Sequence, residues 1–125
     1  MIRKKKYVTK NVIVKDMKKS PVIKLKTLIA EDDEISGKFL TAVVGIFSRK
    51  ILYAADGFQA VEMCRHHPDV DVVLMDIQMP VMDGFEATRL IRQFNNKVLI
   101  IAETAFEHRG SSRIMAVKNG LAKGR

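Results

Sequence analysis

Residues 70–84, Val-Asp-Val-Val-Leu-Met-Asp-Ile-Gln-Met-Pro-Val-Met-Asp-Gly, constrain this chain more than any other stretch. Val72, Val73, Leu74 and Met75 form an apolar run without alternation, the pattern of a strand buried on both faces. The run ends on Asp76. An ionised carboxylate at the mouth of a buried strand is costly unless a cation meets it, so its position points to a site at the carboxyl edge of a parallel sheet. Met79-Pro80 then forces a turn, and Asp83-Gly84 opens the next helix.

The flanking sequence repeats this strand-then-helix rhythm. Thr27-Leu28-Ile29-Ala30 reads as a first strand that delivers Glu31, Asp32, Asp33 and Glu34 at its end. Asp33 and Glu34 suit the first turn of a helix, where acids are favoured. Glu31 and Asp32 are better explained as ligands for a hard divalent cation, because they would share a sheet edge with Asp76. Ile35, Phe39, Ala42, Val43, Ile46 and Phe47 recur at helical spacing and predict the face of that helix that packs on the sheet. Residues 51–54 predict a second strand and residues 59–66 a short helix with Ala60, Val61 and Cys64 inward, stopped by Pro68. Phe85, Thr88, Leu90, Ile91 and Phe94 predict a third helix, broken at Asn95-Asn96. Val98-Leu99-Ile100-Ile101-Ala102 is another buried strand, with Thr104 near its end. A last helix is expected from Ser111 or Ser112, carrying Ile114, Met115 and Val117 and stopping at Asn119-Gly120.

Composition limits the function classes. A chain of 125 residues with 47% hydrophobic content is too apolar for disorder and sized for one domain. No apolar run approaches the length of a membrane span, and Val12-Ile13-Val14 is too short for a signal-peptide core, so a cytoplasmic location is expected. Residues 1–26 hold ten Lys or Arg against the single Asp16, a balance of +9, and the remainder carries twelve bases and thirteen acids. Residues 1–24 therefore read as a basic arm or linker and residues 25–125 as the globular body. The arm lacks the interleaved aromatics that base stacking needs, so nucleic acid is not its expected partner. Cys64 reads as a small core residue.

Residues 76–84 resemble, over nine consecutive positions, the phosphoacceptor loop of the response-regulator receiver domain, the phosphorylated module of two-component signalling. Glu31-Asp32 and Thr104-Ala105 match in order on either side, and the resemblance runs over roughly residues 26–120. It implies an α/β, flavodoxin-like three-layer sandwich with a parallel sheet in the order 2-1-3-4-5. It implies that Asp76 takes a phosphoryl group from the phosphohistidine of a histidine kinase or a histidine phosphotransfer domain. Mg²⁺ would be held by Glu31, Asp32, Asp76 and the backbone carbonyl of Gln78, and the Thr104 hydroxyl would bond the new phosphoryl group, near the Ala105 amide. Such a chain is a phosphoacceptor that assists its own phosphorylation rather than an enzyme, with output by protein contact.

The resemblance fails at the end of the chain. The family has a fifth strand, a lysine that neutralises the phosphoryl oxygens, and a last helix after the glycine matched by Gly120, whereas this sequence continues Leu121-Ala122-Lys123-Gly124-Arg125. Lys123 comes too soon to take the lysine's role, a loss on the order of 2–4 kcal/mol of transition-state stabilisation by analogy with other single donors. The expected sheet thus lacks its fifth strand and leaves residues 98–102 as an open edge. Three covers are open: the arm through Val12-Ile13-Val14, a second copy in a homodimer, or another polypeptide. The alternative function is a degenerate or truncated receiver acting only as a protein-binding module.

Overall fold

The computed structural model describes residues 24–105 and 112–117, with side chains described over residues 24–103. The order is β1 (Leu25–Ala30), α1 (Glu34–Val44), β2 (Ser48–Ala54), α2 (Gly57–His66), β3 (Val72–Asp76), α3 (Gly84–Phe94), β4 (Leu99–Ala105) and β5 (Ser112–Val117). One sheet runs β2-β1-β3-β4-β5, with the first four strands parallel and β5 antiparallel to β4. Every described helix starts on an aspartate cap. Asp33, Asp56 and Asp83 accept from the backbone N–H of Ser36, Gln59 and Glu86 at 2.8, 2.8 and 2.9 Å, satisfying donors that the first turn leaves unpaired. After α3, Asn95 accepts from the Lys97 and Val98 amides, both at 3.0 Å, and turns the chain into β4.

Two apolar clusters hold three layers together. The larger joins Ala60, Val61 and Cys64 of α2 and Ala87 and Ile91 of α3 to one face of the sheet through Leu28, Val73, Met75 and Ile100. The smaller packs Leu40 and Val44 of α1 with Ile29, Ile51 and Leu74 on the other face. Cys64 is the small core residue expected, its thiol pushed up to about 11 by burial. At the amino end of the sheet, buried Lys26 ties β1 to the turn before β3: its Nζ meets Asp69 at 2.8 Å and its amide donates to Asp71 at 2.8 Å. Among the described residues, no helix is long and apolar enough to cross a membrane.

Two local expectations are overturned. Of the positions predicted to pack on the sheet, Ile35, Phe39, Ala42 and Val43 of α1 and Ile46 just past its end are exposed, Phe47 does pack against the smaller cluster, and Leu40 and Val44 are the buried pair of the helix. The helix carries two apolar stripes, so periodicity alone did not choose between them, and the fit against Ile29, Ile51 and Leu74 did. The helix expected from Ser111 or Ser112 is the strand β5, in register with β4 from Ala105↔Ser112 to Ile100↔Val117. The apolar residues at 114, 115 and 117 are too few to separate the two periods, and β4 offered a row of unpaired backbone groups. The open edge is thus covered by this chain's own residues 112–117, not by the expected candidates. The arm lies outside the described residues except for Lys24, as do Gly120 and Lys123.

Leu40→Ala removes a side chain that is 5% exposed and one of two α1 residues seated in the smaller cluster. Urea unfolding is expected to show a loss of about 2–4 kcal/mol.

Candidate metal centre

The carboxyl edges of β1 and β3 lie side by side because Thr27, Leu28, Ile29 and Ala30 pair in parallel with Val72, Val73, Leu74 and Met75. One residue beyond this ladder, Glu31 follows Ala30 and Asp76 follows Met75. The Glu31 amide donates to Ala54 of β2 at 3.0 Å, and Asp76 stands in register with Glu103 of β4. Backbone pairing thus delivers carboxylates from neighbouring strands to one place. Glu31, Asp32 and Asp76 each offer an oxygen, all within 4.8 Å of one another.

That crowding perturbs both half-buried members. Burial, followed by the charges of Asp76 and Glu103, pushes Glu31 from its ordinary 4.5 up to about 8, against the pull of the Asp33 amide on its carboxylate. Burial and the neighbouring Asp32 push Asp76 from 3.8 up to about 6, against a 3.0 Å hydrogen bond that its Oδ1 accepts from the Gln78 amide. Two like charges 4.8 Å apart repel by on the order of 3 kcal/mol at an effective dielectric of about 20. Among the described residues, none of the three is ion-paired to Lys, Arg or His. Uncompensated oxygens in this number and spacing fit a hard divalent cation.

The loop after Asp76 is held by close backbone approach. Ile77 donates to the Glu103 carbonyl at 3.1 Å, and Gly84 donates to the Ile77 carbonyl at 2.8 Å. A Cβ on Gly84 would stand 2.5 Å from the Asp76 carbonyl oxygen, so α3 can start here only on glycine. Gly57 donates to the Met82 carbonyl at 2.9 Å and likewise leaves no room for a side chain, which joins the start of α2 to the same loop. Between these joints Val81 has φ 69°, a strained conformation for a β-branched residue.

The residues predicted from sequence fall as follows. Glu31, Asp32 and Asp76 converge; Gln78 is two residues past Asp76 at the surface; Thr104 is next to Glu103 near the end of β4, paired with Arg113 through the backbone, and its side chain lies outside those described. Sequence reasoning missed Glu103, whose charge reaches Glu31, and the two glycine joints. The clue to Glu103 was its place just past the apolar run 98–102.

The family model described as "Response regulator receiver domain" matches residues 27–123. Hybrid signal transduction histidine kinase A of Dictyostelium discoideum is 38% identical over 72 residues, 58% of this chain and 3% of that protein. Transcription factor SKN7 of Candida albicans is 36% identical over 84 residues, 67% of this chain and 15% of that protein. The chain therefore matches only a small part of these relatives' length. Among solved structures, the CheX–CheY–BeF3–Mg complex of Borrelia burgdorferi superposes with TM-score 0.64 and 32% identity, covering 70% of this chain and 66% of the other. The complex of the Saccharomyces cerevisiae histidine phosphotransfer protein Ypd1 with the receiver domain of Ssk1 gives 0.61 and 27%, covering 70% and 68%.

The shifts set a pH dependence. The unfolded chain releases the two protons near 4.5 and 3.8, whereas the folded, metal-free chain keeps them to about 8 and about 6. The folded state binds more protons in that window, so its stability falls as pH rises from about 4 to about 8. Asp33 and Asp69 are lowered by hydrogen bonds from Ser36 and Lys26, so their contribution is lost only as pH falls toward and below the ordinary carboxylate range. Melting in chelator is expected to drop between about pH 5 and about pH 8, and added Mg²⁺ to raise it more at the higher pH. An equal Mg²⁺ shift at both would refute these carboxylates as the binding site. Gly84→Ala is expected to cost roughly 1–3 kcal/mol and to weaken Mg²⁺ binding. Gly37→Ala, in a helix interior where a Cβ meets only Glu31 Cγ at 4.0 Å, is expected to stabilise by up to about 1 kcal/mol, both read by urea titration.

Proposed function

The chain belongs to the response regulator receiver domain family, and on that premise we propose that Asp76 accepts a phosphoryl group from the phosphohistidine of a histidine kinase or a histidine phosphotransfer domain. The observation that carries this reading is the convergence of Glu31, Asp32 and Asp76 within 4.8 Å. An Asp76 oxygen forms a bond to phosphorus as the bond from phosphorus to the histidine nitrogen breaks, and the imidazole leaves with the electron pair. Attack by one anion on another needs positive charge at the site, and Mg²⁺ held by Glu31, Asp32, Asp76 and the Gln78 carbonyl supplies it when bound.

The chain's own residues align the acceptor. The Gln78 amide fixes one carboxylate oxygen of Asp76, while the β3–β4 ladder and Gly84 hold the backbone behind it. Thr104, near the end of β4, is the hydroxyl donor to the product, and the adjoining Ala105 amide stands with it. The chain is a reactant that assists its own modification rather than an enzyme, with a cytoplasmic site of action and output by protein contact. The Ypd1–Ssk1 complex supports the class of partner.

A second reading, a protein-binding module without phosphotransfer, is favoured by one observation. β5 runs antiparallel to β4, where a flavodoxin-like sheet would add a parallel strand. Incubation with acetyl phosphate and Mg²⁺ followed by intact-mass spectrometry separates the two. A gain of one phosphoryl group in the wild type and none in Asp76→Asn is expected. No gain in a protein whose circular dichroism shows a folded state would establish the binding module instead.

A further inference from the structure

Three neighbouring strands each set a carboxylate on one face of the sheet at one level. In β1, Leu28 and Ala30 belong to the larger cluster and Ile29 to the smaller, so Glu31 shares the face of Ile29. In β3, Val73 and Met75 face the larger cluster and Leu74 packs on the smaller, so Asp76 shares the face of Leu74. In β4, Ile100 and Ala102 face the larger cluster, which leaves Glu103 on the opposite face with Ile101. The ladder pairs Asp76 directly with Glu103, and Glu31 comes one residue after the pair Ala30↔Met75. The acceptor is therefore flanked by an acid on each side, one strand spacing of about 5 Å away.

The two flanks differ. Glu31 is one of the three acids whose oxygens lie within 4.8 Å of one another, and Glu103 stands outside that group. Like charges directly opposite one another on adjacent strands are destabilising, so the row is a cost to the metal-free fold. Backbone pairing keeps Glu103 in place against that cost: its carbonyl accepts from the Ile77 amide at 3.1 Å, and Ala102 before it is fully buried. Its charge reaches across Asp76 to Glu31 and helps to hold that carboxyl high. A divalent cation at this edge turns the repulsion into attraction, because its field acts on a carboxylate one strand away as well as on its ligands. Charge count is one of the means by which oxygen sites set their affinity.

We infer that Glu103 sets the affinity of this edge for its divalent cation, acting through its charge from the β4 side of Asp76 rather than as one of the ligands. The inference rests on the phosphoacceptor reading for the cation's part in the reaction: an acceptor flanked by anions repels an anionic donor until the edge is loaded.

The test is a Mg²⁺ titration of the full chain, read from the amide shifts of residues 31–34 and 76–78, in the parent, Glu103→Gln and Glu103→Asp, each first shown to be folded by circular dichroism. Glu103→Gln is expected to weaken Mg²⁺ binding on the order of tenfold, as the loss of a partner beyond the ligands does in other metal sites. Glu103→Asp keeps the charge and is expected to keep most of the affinity, which a packing role for the longer side chain would not allow. Equal affinity in the parent and Glu103→Gln, or an equal loss in both variants, would overturn the inference and leave the phosphoacceptor reading intact. A parent that binds Mg²⁺ at these residues yet gains no phosphoryl group from acetyl phosphate would remove that reading, with the affinity difference between the variants still deciding the role of Glu103. A parent without Mg²⁺-dependent shifts would overturn both.

Discussion

Mutual repulsion among Glu31, Asp32 and Asp76 is the constraint on which the rest of this structure depends. Ionised together, as a bound cation requires, groups within 4.8 Å of one another separate unless something stiffer holds them, and here that is the parallel ladder of β1, β3 and β4. Its central residues, Leu28, Val73, Met75 and Ile100, are fully buried, so the strands cannot slide without exposing apolar surface. A one-residue slip of β3 would also carry Asp76 to the opposite face of the sheet. The apolar core therefore does more than stabilise the fold. It fixes the register that keeps like charges together.

The loop after β3 is anchored in the same spirit, by proximity rather than by long side chains. Gly57 and Gly84 bring the starts of two helices against the backbone of the acceptor loop, and Ile77 and Met79 are buried at 8% exposure each. Val81 lies between these anchors, exposed and at positive φ. Strain of that kind persists only where both flanks are over-determined, which makes this loop a stiff support for the carboxylate beside it.

How much of this was legible follows from which interactions are local. The run 72–75 ending on Asp76, the acidic pair Glu31-Asp32, the inward face of α2 and the stop at Asn95 are local statements, and each appears where the sequence placed it. The seated face of α1 was not legible, because Leu40 and Val44 compete with a larger stripe and only the sheet decides between them. Glu103 was missed because its nearness to Asp76 exists only in the register of β3 with β4. The strand β5 was read as a helix because six residues with apolar positions 114, 115 and 117 satisfy either period, and the deciding partner lies across a turn.

That last case separates two requirements that a sheet edge and a sheet face impose. An edge needs hydrogen bonds, which are directional and saturable, so a strand of six residues closes it whatever its direction. A face needs apolar area, which backbone pairing does not supply. β5 answers the first need at β4 and leaves the second standing at Leu99 and along the outer stripe of α1, where each large side chain fully covered would add about 1.5–3 kcal/mol. Whatever covers that face must be recruited by its side chains, with alternating or helical apolar positions, and not by unpaired backbone. The β4 edge can therefore be paired, with β5 as the new edge strand, while among the described residues one face of the layered core stays uncovered.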